Sequence, residues 1–206
     1  MKKLAVTLIM VAVVLSVTFA QEKRYGIERA ILKKNIAMDM GGMKQTMSSV
    51  QYIDDFGQKE SSETFISMQG QNFTVFTLMK DGYVYTANMA LKQGAKINMA
   101  TMGDYKTVNY LNITNEVKEK YKIVEKGNES FLGKDCKRYD LTVSVQGQTV
   151  QVSVWIWRGI ALKSASTVTG TNVVEEVTEI QEGATIAKEK FELPEGITFN
   201  EMTPQM

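Results

Sequence analysis

Short segments that alternate apolar and polar residues, separated by turn residues, fill most of the chain. A two-residue period is typical of strands that bury one face of a sheet. The spacing of the turns predicts about ten strands in an antiparallel meander, the first of them over residues 25–40. One segment departs from the pattern, because Ile113, Val117 and Tyr121 recur every fourth residue beside a capping Thr114. We expect a short helix over residues 114–122.

The clearest hairpin joins residues 141–146 to residues 149–157 across Gly147-Gln148. On its second strand, Trp155 and Trp157 follow the polar face that begins with Gln151, so the solvent side becomes aromatic near the strand end. These rings either sit at the mouth of a ligand cavity or pack under a neighbouring loop. Both possibilities stay open at the level of sequence.

A second hairpin runs over residues 73–88 and turns at Asp81-Gly82, a dipeptide that accepts the positive φ of a tight loop. Its first strand is apolar on both faces. A strand that is buried on both sides needs a second layer, which we expect to be a helix or the far wall of a barrel.

The N-terminus combines two lysines, a long apolar run and a small residue, Ala20, before a polar stretch. This pattern is typical of a cleavable signal peptide, which we expect to span residues 1–20. A lipoprotein signal would place cysteine directly after the cleavage point, whereas the one cysteine of the chain is Cys136. We expect residues 21–206 to form a single β-rich domain that is periplasmic or secreted and does not span the membrane.

The chain contains no histidine, and its formal net charge is +1. Missing histidine removes Ser-His-Asp and Cys-His catalysis, most zinc sites and the commonest general base at neutral pH. The balanced charge offers no basic stripe for nucleic acid. Pairs of carboxylates could still catalyse a reaction without histidine. However, Glu175 and Glu179 lie on one face of the same predicted strand, which we expect at a solvated sheet edge. We therefore expect neither an enzyme nor a protein that requires a cofactor.

Methionine is abundant, with 13 in the chain and a cluster at its first predicted turn. The cluster contains Met38, Met40, Met43 and Met47. Thioethers bind Cu(I), and unbranched methionine side chains also line adaptable apolar pockets. A third interpretation places these residues in an ordinary core, and the pattern alone does not choose among the three.

The C-terminal half carries five motifs in a fixed order. They are Tyr121-Lys-Ile-Val, Phe131-Leu-Gly-Lys-Asp-Cys136, Val154-Trp-Ile-Trp157, Val174-Glu-Glu-Val and Phe191-Glu-Leu-Pro194-Glu-Gly196. Together they resemble uncharacterised exported proteins of Bacteroidetes-type bacteria and, more distantly, the LolA-like superfamily of periplasmic lipoprotein carriers. The resemblance implies a mainly β fold, an antiparallel meander that forms an incomplete, half barrel with one or a few short helices. It also implies an apolar face that accepts acyl chains.

We therefore expect a soluble exported protein that binds or carries a lipid or other apolar ligand. A lipoprotein is one such ligand. An envelope protein that docks a partner without a small ligand is the alternative, and Met-based Cu(I) binding is the third. The expected ligand-binding residues are Met38, Met40, Phe73, Phe76, Leu78, Met79, Tyr83, Tyr85, Trp155 and Trp157.

Overall fold

A computed structural model of the protein describes residues 23–68, 70–99, 108–145 and 148–202. The expected signal peptide, residues 1–20, lies outside the described residues. The first six strands are β1 (Ala30–Met40), β2 (Met43–Asp54), β3 (Lys59–Met68), β4 (Gln71–Lys80), β5 (Tyr83–Asn88) and β6 (Gln93–Asn98). Helix α1 (Asn115–Tyr121) follows. The remaining strands are β7 (Val124–Phe131), β8 (Lys134–Val145), β9 (Gln148–Trp157), β10 (Ile160–Val168), β11 (Thr171–Glu182) and β12 (Thr198–Glu201).

All twelve strands of the described residues belong to one sheet, in the order β12-β6-β5-β4-β3-β2-β1-β11-β10-β9-β8-β7. Every neighbouring pair is antiparallel except β12 and β6, which run parallel. The described strands leave the sheet open, with β12 and β7 at its edges. The expected mainly β, incomplete barrel is confirmed, with two strands more than the ten that the turn spacing predicted.

The first strand pairs with the eleventh at the centre of the sheet. Ala30 lies opposite Glu182 and Asp39 lies opposite Asn172, with a bulge between Lys33 and Lys34. The expectation of a solvated edge at β11 is therefore wrong, because β1 and β10 flank this strand. Partner choice between distant strands is not encoded in the local alternation on which that expectation relied.

Three boundaries differ from the sequence predictions. The first strand begins at Ala30 rather than at residue 25, because the residues before it bend across the end of the sheet. In the hairpin of β8 and β9, Val145 pairs with Gln148, so Gln148 belongs to a strand. The Asp81-Gly82 turn is confirmed, with φ of 52° and 78° at its two residues.

Register divides the side chains of the sheet between two faces. One face carries Ile36 on β1 and, across the ladders, Met47, Ile66 and Phe73 on the next three strands. The same face continues through β11 and β10 to Val154 and Tyr139, against which α1 packs. We call it the helix-side face and the other side the opposite face.

Helix α1 lies where the fourfold spacing predicted it. The Thr114 side chain accepts a hydrogen bond of 3.3 Å from the Val117 backbone N–H, and Lys122 ends the helix in a left-handed conformation. Val117 and Tyr121 pack with apolar residues of β8 and β9, among them Leu141. The predicted short helix is confirmed.

The two-sided apolar strand β4 is covered on the opposite face by the C-terminal segment, residues 184–202. This segment brings Phe191, Ile197 and Phe199 against Phe76 and Leu78. The expected second layer, a helix or a barrel wall, is therefore mainly an extended segment that ends in β12. An ion pair also holds the C-terminal segment to the sheet, with Lys190 Nζ 2.8 Å from Oε1 of Glu63 on β3.

Gly94 on β6 leaves room for the Phe199 ring. A Cβ atom at Gly94 would lie 2.5 Å from Cδ1 of Phe199. We expect Gly94→Ala to lower the free energy of unfolding by about 1–3 kcal/mol, because the ring must move out of its contact. Urea denaturation of Gly94→Ala, Phe199→Ala and the double variant measures this. The two losses should not add, since the smaller side chain removes the clash; additive losses would contradict the contact.

Candidate functional site

The structure distributes the ten expected ligand-binding residues over both faces of the sheet. On the helix-side face lie Met38, Met40, Phe73 and Met79. On the opposite face lie Phe76, Leu78, Tyr83, Tyr85, Trp155 and Trp157. A strand alternates its side chains, so neighbours such as Phe73 and Phe76 cannot line one cavity.

On the helix-side face, Met38 and Phe73 join one apolar cluster, whereas Met79 packs in a separate one with Val84, Ile97 and Met99. The first cluster consists of Ile36, Met38, Met47, Ile66, Phe73, Val75 and Val173, and we call it the apolar patch. Met40 and Met43 pair across the β1–β2 hairpin and extend the same face toward its tip. Met43 is 69% exposed, whereas Met38 is 4% exposed. The apolar surface therefore runs from a buried interior to a solvent-exposed end.

On the opposite face, Phe76, Leu78 and Tyr85 pack against the C-terminal segment. Phe76 and Leu78 are buried under the C-terminal segment. The ring of Tyr85 meets that of Phe199 edge-on, with centroids 5.3 Å apart. These contacts account for the burial of this part of the face without a ligand.

The two tryptophans are covered by charged side chains. Arg138 and Lys163 lie 5.0 Å and 5.1 Å from the centroid of Trp155. Lys134 and Arg158 lie over Trp157 at 4.5 Å and 5.0 Å. Cations over indole faces are attracted by the ring quadrupole, and their stems shield the rings from water. Both rings also pack against the buried cluster that contains Cys136, Ile160 and Leu162.

A carboxylate fixes the first tryptophan from the side. The indole N–H of Trp155 donates a 2.6 Å hydrogen bond to Glu129, which also accepts one of 3.0 Å from Arg138. The hydrogen bond from Trp155, with that from Arg138, lowers the pKa of Glu129. The carboxylate therefore stays charged at a pH where an ordinary glutamate is protonated.

Sequence reasoning missed a group of polar residues on the helix-side face. Next to the apolar patch lie Lys34, Ser49, Gln51, Ser62, Thr64 and Thr77, on four neighbouring strands, and we call them the polar band. Ser49, Gln51, Thr64 and Thr77 are buried. The sequence of β2 carried a signal for this group, because Ser49 and Gln51 are polar residues at positions that the alternation assigns to the buried face.

Two ion pairs accompany the polar band. Lys34 bridges the central ladder to Glu175 with Nζ and Oε1 2.6 Å apart, and both side chains are largely buried. At the end of the same face, Arg24 forms a fully buried ion pair with Glu60. The Arg24 Nε also donates a 2.7 Å hydrogen bond to the carbonyl of Gly57.

Glu60 also accepts hydrogen bonds from Tyr25 and from the amide of Gln51. Burial, reinforced by the Glu60 charge, raises the pKa of Tyr25, so the phenol stays neutral. Burial alone would lower the pKa of Arg24, but the Glu60 carboxylate outweighs it and the net direction is upward. The cluster is therefore a charged pair with a neutral phenol.

The described residues offer no cluster of three or more Cys, Asp or Glu side chains arranged to hold a metal ion. Cys136 is buried, and burial raises the pKa of its thiol, as expected for a structural cysteine. Across the part of the chain that the structure describes, no helix combines the length and apolar character needed to cross a membrane.

No family model matches the chain, and no curated protein matches its sequence. Among solved structures, an uncharacterised conserved protein from Thermus thermophilus matches with a TM-score of 0.50 and 9% identity, over 97% of this chain and 99% of that one. A LolA superfamily protein from Nitrosomonas europaea matches with a TM-score of 0.39 and 10% identity, over 84% and 93%.

A chain in the MucA/MucB complex of Pseudomonas aeruginosa matches with a TM-score of 0.48 and 13% identity, over 91% of this chain. The present chain spans 61% of that one. The solved structures thus include a member of the superfamily that the C-terminal motifs resemble. At these identities the likeness concerns the fold alone.

The Arg24–Glu60 pair should dominate the stability of this end of the sheet. We expect Glu60→Gln to lower the free energy of unfolding by about 3–5 kcal/mol, because it leaves a buried guanidinium without its counter-charge. Glu28→Gln is the control, since Glu28 pairs with Arg29 at the surface and should change stability by less than about 1 kcal/mol. Chemical denaturation of both variants checks this, and equal losses would contradict it.

The Glu129 contact should make tryptophan emission depend on pH. The lowered pKa of Glu129 means that the contact is intact above the usual glutamate range and is lost as pH falls through the lowered value. We expect an emission change with a midpoint below the usual glutamate range. The change should vanish in Trp155→Phe and Glu129→Gln but persist in Trp157→Phe. A transition that survives Glu129→Gln belongs to another group.

Proposed function

We propose that this protein binds and carries a lipid or similar amphiphile on the helix-side face, without making or breaking a bond. The observation that supports the proposal is the apolar patch and its continuation to the exposed Met43. A chain of methylene groups could enter at the β1–β2 hairpin and lie along buried Met38 and Phe73. The aromatic residues of the opposite face take no part.

Apolar burial provides enough free energy for such binding. Each buried methylene contributes about 0.8 kcal/mol, so an acyl chain of modest length can be held without charged contacts. Methionine side chains adapt to ligands of different shape because they are unbranched and polarisable. Met38, Met40 and Met47 on one face therefore favour a chain-like ligand over a rigid one.

We also propose that the protein works outside the cytoplasm, in the periplasm or after secretion, as one domain released from its signal peptide. The basis is the N-terminal sequence with its lysines, apolar run and Ala20. A freely diffusing domain is what a shuttle between membranes requires. A lipoprotein, with its acyl chains, is one candidate cargo.

Cu(I) binding is a second candidate, favoured by one observation. Met38, Met40 and Met43 lie on the same face, and the last two are directly paired across the hairpin. Replacing all three with leucine keeps the apolar character while removing the thioethers. Loss of Cu(I) uptake in that variant with unchanged lipid binding would favour the metal; unchanged uptake would exclude this cluster as its site.

Phe73 and Phe65 provide a matched test of lipid binding. Phe73 lies in the apolar patch, whereas Phe65 on the neighbouring strand faces the other way and is 42% exposed. We expect Phe73→Ala to weaken binding of a fluorescent acyl probe by about tenfold or more, since a buried phenyl ring contributes about 1.5–3 kcal/mol. Phe65→Ala should leave the affinity unchanged. Native mass spectrometry of the gently purified protein identifies any bound lipid.

The proposal fails if the purified protein is always empty and takes up no acyl probe. Equal effects of the two phenylalanine variants would place any binding elsewhere. An apolar surface that captures a protein partner but no lipid would support the envelope docking role instead.

A further inference from the structure

The helix-side face is not uniformly apolar, and its polar part lies beside the apolar patch. Phe73, Ile66, Met47 and Ile36 form one cross-strand row of the patch. The adjacent row on the same face begins with Val75 and continues through Thr64, Ser49 and Lys34. A ligand chain lying on the first row therefore has hydroxyl groups beside it, and the row itself leads across the seam to Glu175, which lies opposite Ile36.

The charges of this region are paired one to one. Lys34 is matched by Glu175 with Nζ and Oε1 2.6 Å apart, and buried Arg24 is matched by Glu60. Neither cation is available to a ligand anion without breaking its pair, and the Glu175 carboxylate would repel such an anion. Moving an ionised group into this largely buried site without a partner is costly.

The remaining polar groups are suited to hydroxyl groups. Thr64 Oγ1 donates a 3.2 Å hydrogen bond to Ser49 Oγ, so hydroxyls of neighbouring strands already interact. Gln51, which is 5% exposed, donates its amide N–H to Glu60, and its Oε1 atom has no hydrogen-bond partner among the described residues. An acceptor of this kind is satisfied by a donor, which a ligand hydroxyl provides and a carboxylate does not.

We propose that the ligand is an amphiphile with an uncharged, hydroxyl-bearing head group of the glycerol or sugar type. Its acyl chain lies on the apolar patch, and its head group lies on the polar band beside the Lys34–Glu175 pair. This inference rests on the proposed lipid-binding function and narrows it to one chemical class. The neutral ion pair selects against fatty-acid anions, while the hydroxyl groups select for polyol donors.

Two amphiphiles with the same chain test the inference, 1-monolaurin and laurate, each below its micellar concentration at pH 7.4. Their dissociation constants are measured by displacement of a fluorescent acyl probe from the purified protein. We expect monolaurin to bind at least about tenfold more tightly than laurate, a difference of about 1.4 kcal/mol.

Glu175→Gln should change the selectivity, because it leaves Lys34 without its counter-charge. We expect laurate to bind about tenfold more tightly to this variant, while the affinity for monolaurin changes by less than about threefold. Lys34→Gln should act in the opposite direction and weaken laurate further. Glu179→Gln is the matched control, because Glu179 lies on the same strand but pairs with Lys33 at the surface. It should leave both affinities unchanged.

Equal affinity for the two amphiphiles, unaltered by Glu175→Gln and Lys34→Gln, would overturn the inference while the lipid-binding function stands. Tighter binding of laurate to the native protein would overturn it in the same way. If neither amphiphile displaces the probe, and no acyl probe binds, the proposed function fails together with the inference. Circular dichroism checks that each variant is folded. If Glu175→Gln does not fold, the result for Lys34→Gln decides the outcome.

Discussion

The pairing of β1 with β11 is the interaction on which the rest of this structure depends. Among the described strands, it alone joins the meander of β1–β6 to that of β7–β11. The apolar patch takes Ile36 from one side of this seam and Val173 from the other. Lys34 and Glu175 meet across it. Without the seam, the helix-side face would be two half-sheets with neither a continuous patch nor a neutral ion pair.

Burying the polar band costs free energy, which hydrogen bonds and ion pairs between neighbouring residues offset. Buried hydroxyl, amide and charged groups cost free energy unless they are paired. Ser49 and Thr64 pair with each other, and Glu60 gathers Arg24, Tyr25 and Gln51 around one carboxylate. The Arg24–Tyr25 segment thus closes the end of the sheet opposite the methionine hairpin. One end of the face is fixed by charge, and the other is apolar and reaches solvent.

Local pattern was sufficient for the elements but not for their partners. The Asp81-Gly82 turn, helix α1 and the two-sided character of β4 follow from neighbouring residues. The central place of β11 does not, because β1 lies far away in sequence. Bulges at Lys33/Lys34 and between Ala161 and Lys163 also break the alternation that assigns faces. Of the ten residues expected to bind ligand, the structure places Met38 and Phe73 in the apolar patch and six on the opposite face. The polar band was missed because apolar residues were sought.

The burial of apolar residues on β4 depends on the C-terminal segment. Phe191, Ile197 and Phe199 follow β11 in sequence, yet they cover Phe76 and Leu78 from the first half of the sheet. A chain cut between β11 and β12 would keep its central seam but present a broad apolar surface to the solvent. Such a surface promotes aggregation and exposes the backbone to proteases. Copies that lack this segment are thus distinguishable by surface alone from copies that carry it, which favours their removal.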